Sequence, residues 1–252
     1  SITNFTKLFF IFFFFCILAS SIYILNDIFD IKIDKKHKYK KYRPLASGSF
    51  PLRLALIISI FFSIISLSYF LFFTEKIIFL LATLYLIINF FYSFYFKKLK
   101  YLDLIIVLCG FLIRINIGSI STEIILSNFL VAQVIFFVIF ILICKRREYF
   151  FSYDQKVPSK YSIKELNFLS KLFLLLNLIN YFIYFFEDDS FIDRHTLFLS
   201  FIIYAILLIR YFNINFKNKV FDPISIYLND KYLILFSLLY LINFILGFYG
   251  VY

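Results

Sequence analysis

Asp27, Asp30 and Asp34 stand i, i+3, i+7 apart in the stretch NDIFDIKIDKKHKYKKYRPLASG, residues 26–48, with greasy sequence on both sides. On a continuing helix that spacing puts all three carboxylates on one face. Clustered carboxylates repel unless a cation joins them. Hard oxygen ligands suit Mg²⁺, which keeps several waters and shares its shell with substrate phosphates. Asn26 adds a neutral oxygen beside them. Lys32, Lys35, Lys36, Lys38, Lys40, Lys41 and Arg43 belong to the same stretch. Lysine meets phosphate as a point charge and Arg43 by a bidentate fork. Acid and base side by side read as a site for Mg²⁺ and a diphosphate. The plain alternative is a solvated charged loop that merely obeys the positive-inside rule.

Membrane helices must position these residues. The chain of 252 residues is 63% hydrophobic, against about half for a soluble domain, and its mean hydropathy is +0.91. Apolar blocks fall at about 5–25, 52–73, 77–96, 102–121, 125–144, 168–186, 196–213 and 232–250. Each is close to the length that crosses a bilayer core. The expected fold is an all-α polytopic bundle, a single transmembrane domain of about eight helices over residues 1–252. The 40 phenylalanines fit an AT-rich coding sequence and get no functional meaning. Cys16, Cys109 and Cys144 lie in apolar blocks without a CxxC pair, so neither a disulfide nor a zinc site is expected.

Charge orients the spans. The loops at 26–51, 97–101, 145–167 and 214–231 carry basic clusters. Those between are nearly free of them, and EDDSFIDR, residues 187–194, is acidic. The positive-inside rule places the basic loops in the cytoplasm. The first block then enters from outside, which implies one more span upstream, nine in all. Met is absent, even at position 1, so a fragment lacking its first helix is expected. The net charge of +11 suits a cytoplasmic membrane surface or an anionic substrate. No nucleic-acid partner is expected.

Further candidates lie outside the aspartate stretch. Arg114 falls about eleven residues into the fourth block, roughly 16 Å deep at the helical rise. A charge there faces a cavity or a partner; a structural carboxylate partner is favoured over a substrate phosphate. Gly110 and Gly118 on a nearby stripe would let a neighbouring helix approach. Lys145-Arg146-Arg147 reads equally as a positive-inside anchor or as a phosphate ligand. Tyr92 reads as an interfacial anchor or a cavity hydrogen-bonder, and His37 as a solvated loop residue. His195 is assigned no role.

The pattern N-D-x-x-D-x-x-x-D at a cytoplasmic helix end resembles the first aspartate motif of the UbiA superfamily of intramembrane prenyltransferases. The longer run Asn26-Asp27, Asp30, Asp34, His37, Lys40, Arg43-Pro44 and LASG is similar to one branch, the decaprenyl-phosphate phosphoribosyltransferases. Tyr92-Ser93 with Lys97 and Asp103 looks like that branch's YS…LK…D segment. Gly110-Phe111-Leu112-Ile113-Arg114 with Gly118 looks like its GF-x-L-R…G helix, and Lys145-Arg146 like its second loop. Asp222-Pro223 and Asn229-Asp230 match its last cytoplasmic loop loosely. Two positions depart from the branch: Lys38 replaces a proline, and Glu148 is displaced from the usual glutamate position, which holds Tyr149.

The resemblance implies a nine-helix transferase of a bacterial plasma membrane with its site facing the cytoplasm. It implies Mg²⁺ on Asp27, Asp30, Asp34 and Asn26, with Asp27 and Asp30 central to catalysis. Lys40, Arg43, Tyr92, Lys97, Arg114, Lys145 and Arg146 would line the substrates. The superfamily's common prenyl diphosphate users carry a second aspartate-rich motif, where this chain has KRREYFFSYDQKVPSKYSIKEL with the single aspartate Asp154. A basic second loop suits phosphoribosyl diphosphate as donor and a polyprenyl phosphate lipid as acceptor. Prenyl transfer to an aromatic or lipid acceptor is the alternative within the superfamily. A lipid or solute transporter is the alternative outside it, and the expected internal repeats and broken helices are not evident.

Overall fold

The computed structural model describes residues 2–152, 160–187, 194–217 and 223–249. Among them there is no strand, and helix dominates. Asp154 and Asp222 lie outside the described residues, as does the Glu148 side chain. Among the described residues seven helices are long and apolar enough to cross a membrane, and an eighth apolar helix is shorter. The protein is a multi-span integral membrane protein. Its described residues form two compact units.

The first unit begins with α1, Ile2–Asp34, 33 residues without a break. No Gly or Pro occurs before Pro44, so nothing in the sequence forces an earlier stop. The expected block of 5–25 thus runs nine residues further and carries the aspartates on helix rather than loop. Beyond Asp34 the chain tightens into a turn, with the His37 amide donating to the Asp34 carbonyl at 3.0 Å. A 3-10 turn, Lys40–Tyr42, follows. Arg43 is extended at φ −59°, ψ 144°, the conformation a following proline demands. Pro44 opens the short α2, Pro44–Ser47, which ends on Gly48 at φ 82°. That left-handed cap suits glycine.

Helices α3, Leu52–Phe73, and α4, Lys76–Phe94, follow. A 3-10 turn, Phe96–Lys98, leads to α5, Leu102–Thr122. Helix α1 packs on α3 and α4, and α5 on α4. Their common core holds Leu18, Phe70, Ile78, Ala82, Tyr85 and Ile113. Lipid-bathed helices gain little from greasiness alone, so small and polar residues join them. Accordingly the Ser59 hydroxyl donates to the Ser21 carbonyl at 2.9 Å, and Ser63 to the Ser21 hydroxyl at 3.0 Å.

The two glycines of α5 differ. A Cβ on Gly110 would lie 3.4 Å from the Tyr85 ring, so α4 does approach there. A Cβ on Gly118 would meet nothing within 4 Å, contrary to the expectation that both glycines admit a close neighbour. Gly118 sits beyond that contact with Tyr85.

The second unit contains α6, Asn128–Ser152; α7, Ile163–Glu187; α8, Arg194–Lys217; α9, Pro223–Asn229; and α10, Lys231–Tyr249. Helix α6 packs on α7 and α8 on α10. A half-buried polar knot ties α6, α7 and α8: the Gln133 amide donates to Asn177 Oδ1 at 3.2 Å and to the Tyr204 hydroxyl at 2.7 Å. At the α8–α10 end, Arg210 grips Asp230 through Nε and Nη2, each at 2.9 Å. Asp230 Oδ1 also accepts the backbone amides of Tyr232 and Leu233, the usual N-cap arrangement.

Candidate functional site

The last two turns of α1 present the three aspartates toward two basic residues from elsewhere in the first unit. Arg43 reaches back from the turn before α2. Its Nη1 donates to Asp27 Oδ1 at 2.8 Å and to Asp34 Oδ2 at 3.0 Å. Lys97, on the 3-10 turn after α4, donates to Asp30 Oδ1 at 2.7 Å and to Asn26 Oδ1 at 3.4 Å. The Lys97 and Asp30 side chains are only 13% and 19% exposed, so this pair is screened less than a surface ion pair. The structure therefore brings Asn26, Asp27, Asp30, Asp34, Arg43 and Lys97 together, across 71 positions of sequence. Lys40 sits on the adjoining turn, and its charge is felt at Asp27 and Asp34.

His37 shapes that turn. It is 2% exposed, and its Nδ1 accepts the backbone amides of Tyr39 at 3.1 Å and Lys40 at 3.2 Å. The sequence predicts a solvated histidine. The structure corrects this, because the chain reverses here and leaves two amides for a side chain to satisfy.

Two oxygens from different carboxylates converge on one cationic nitrogen of Arg43. That convergence fits a small hard cation held by two carboxylates, with phosphate oxygens and water completing its shell. Among the described residues no group of three or more His, Cys, Asp or Glu side chains forms a metal cage by itself. Asp27 and Asp34, with Asp30 and Asn26 alongside, are the residues that could hold such an ion.

Arg114 is placed on α5 and bound to Tyr85 of α4, whose hydroxyl accepts from Nη2. Its guanidinium also lies 5.0–6.0 Å from the rings of Phe15, Tyr85 and Phe111. The expected carboxylate partner is replaced by a phenol inside an aromatic cage. The reason is compositional: residues 5–25, 52–73 and 76–94 contain no acid. Tyr92 is half-buried on α4.

Lys145 and Arg146 belong to the second unit. Helix α6 runs through them, so they stand on its last turns rather than in a loop. Lys145 is exposed and Arg146 half-buried. Successive helical residues point about 100° apart, and Arg147 accordingly turns inward. Its Nε donates to Asn167 Oδ1 at 2.9 Å, its Nη1 to Asn215 Oδ1 at 2.6 Å, and it stacks on Phe216. Sequence reasoning does not separate this locking arginine from its neighbours.

Sequence reasoning also passes over Lys160. Its ammonium lies 3.1 Å from Asp103 Oδ2 and donates to the Lys97 carbonyl. One lysine among several in a basic loop offers no spacing by which to single it out.

Span-length apolar helices, with an aspartate face in the first unit countered by Arg43 and Lys97, define the class as an integral membrane protein with a charged site at a helix end. The profile of the UbiA prenyltransferase family matches residues 1–149, and the chain belongs to that family. It is 33% identical over 132 residues to the decaprenyl-phosphate phosphoribosyltransferase of Mycolicibacterium smegmatis, covering 52% of this chain and 41% of that protein. Identity to the protein of that name from Mycobacterium tuberculosis is 30% over 132 residues, covering 52% of this chain and 43% of the other. For the one from Corynebacterium glutamicum it is 28% over 133 residues, with 52% and 40% covered. The matched stretch thus spans less than half the length of these relatives.

Proposed function

We propose that the chain transfers a 5-phosphoribosyl group from phosphoribosyl diphosphate to a polyprenyl phosphate, with Mg²⁺ bound at the aspartate face of α1. The observation that carries this reading is the convergence of Asp27 and Asp34 on one cationic point, with Lys97 on Asp30 next to it. The names of its mycobacterial relatives support the choice of transferred group and of acceptor. The site would face the cytoplasm of a bacterial plasma membrane, in keeping with the basic loops.

In this reaction the bond from the sugar's anomeric carbon to the diphosphate breaks, and its electron pair leaves with the diphosphate. An oxygen of the acceptor phosphate forms the new bond. Mg²⁺, when bound, neutralises charge on the departing diphosphate. Asp27, Asp30 and Asp34 supply the negative face that holds the cation, and Asn26 a neutral oxygen. Arg43, Lys97 and Lys40 are the cations beside that face that phosphate oxygens would meet. Cations fixed where negative charge accumulates lower the barrier to departure. The acceptor is already ionised, so no strong general base is required. Tyr92 and Arg114 serve the bundle around the site.

The test is direct. Membranes containing the chain, given labelled phosphoribosyl diphosphate and polyprenyl phosphate, should move label into lipid only when Mg²⁺ is present. Asp30→Asn should abolish that turnover. Consumption of prenyl diphosphate with no label in lipid would transfer the assignment to prenyl transfer, the reaction in the family's own description. Full activity of Asp30→Asn would remove the metal site.

A further inference from the structure

Asp103 opens α5 and has no exposed surface. A carboxylate so buried must be compensated, and the Lys160 ammonium lies 3.1 Å away. The same ammonium donates to the backbone carbonyl of Lys97. Lys97 in turn places its own ammonium on Asp30 and Asn26. Lys160 is therefore one link away from the aspartate face, though it falls outside the residues matched by the family profile, which end at 149.

The backbone around Lys97 needs such an anchor. It is a 3-10 turn of three residues, a weaker geometry than the α-helix. It holds itself by the Lys98 amide to the Tyr95 carbonyl at 3.0 Å and the Leu99 amide to the Phe96 carbonyl at 2.9 Å. Shortly after it, Tyr101 takes φ 64°, a left-handed conformation costly to a bulky side chain. A short turn followed by a strained residue does not by itself fix where a long lysine side chain starts.

We infer that Lys160 is a positioning residue for phosphate binding: it pins the backbone of Lys97 against buried Asp103 and so aims the Lys97 ammonium at the aspartate face. This rests on the reading of that face as a diphosphate site. Lys160 touches neither substrate nor metal; it acts through Lys97. A merely structural lysine would only neutralise Asp103, and the two roles separate experimentally.

The experiment is calorimetric titration of the full chain in nanodiscs with inorganic diphosphate in excess Mg²⁺. Lys160→Met should weaken binding about tenfold, the scale of one lost charge-assisted hydrogen bond, and Lys160→Arg should recover most of it. The double variant Lys160→Met/Asp103→Asn removes the buried charge along with its partner and so spares the fold. It should stay weak, because the tether on Lys97 is still gone. In a Lys97→Met background, Lys160→Met should add less than about twofold, since coupled residues are not additive. Wild-type affinity in the double variant, or a fully additive loss in the Lys97→Met background, overturns the positioning role alone. Absence of diphosphate binding by the unaltered chain overturns the site itself, and this inference with it.

Discussion

Arg43 is where the charges of α1 balance. One nitrogen serves two carboxylates, and the Asp34 side chain is only 6% exposed. Arg43→Met would leave Asp27 and Asp34 without the cation they share, with only the more distant Lys40 charge near both. With Arg43 itself partly solvated, the expected cost is about 1–2 kcal/mol. Thermal unfolding in detergent without Mg²⁺ should reveal it, and added Mg²⁺ should recover part of the loss. An unchanged midpoint would mean that the pair contributes nothing to stability. At this scale the sequence was legible where spacing carries meaning. Asp27, Asp30 and Asp34 announce a shared face by period alone. His37 and Lys160 were not legible, because their roles depend on a chain reversal and on a contact 63 positions away.

Among the elements, α5 shows what a pattern of glycines does and does not tell. Gly110 meets Tyr85 and Gly118 meets open space. Gly118→Ala should therefore be neutral or stabilising by up to about 1 kcal/mol, the helix preference of alanine over glycine. Gly110→Val should cost about 1–3 kcal/mol by overpacking against Tyr85, and should disturb Arg114 through the same ring. Unfolding midpoints of the two variants test this; equal midpoints would remove the distinction. Helix existence was readable from apolar length, while helix ends were not. α1 and α6 both outrun their apolar blocks, since lysine, arginine and aspartate are no barrier to a helix that has already left the hydrocarbon. The partner of Arg114 was missed for a related reason: composition excludes acids from its neighbours but does not say which tyrosine replaces them.

For the whole molecule, the family profile covers α1 to α5 of the first unit and most of α6, while Lys160 and α7 to α10 lie beyond it. In that second part the Arg210–Asp230 clasp offers a handle on stability. Hydrogen bonds from Arg210, then from the Leu233 and Tyr232 amides, hold the Asp230 carboxyl below its ordinary 3.8. A carboxyl with a lowered folded pKa stabilises fully above its unfolded value, and loses that contribution as pH falls through the folded value. The midpoint difference between the unaltered chain and Asp230→Asn should hold steady from about pH 5 to 8 and close below about pH 4. A difference independent of pH would mean the clasp acts through shape rather than charge. The reach of α1 has a consequence of its own. Its 33 residues extend about 50 Å, more than a hydrocarbon core of about 30 Å and close to a whole bilayer with its headgroups. A helix of that length, seated with its apolar stretch in the hydrocarbon, ends among the lipid phosphates. In the proposed reaction the lipid acceptor then stays in its leaflet with its phosphate already level with the aspartates, and the water-soluble sugar donor makes the journey.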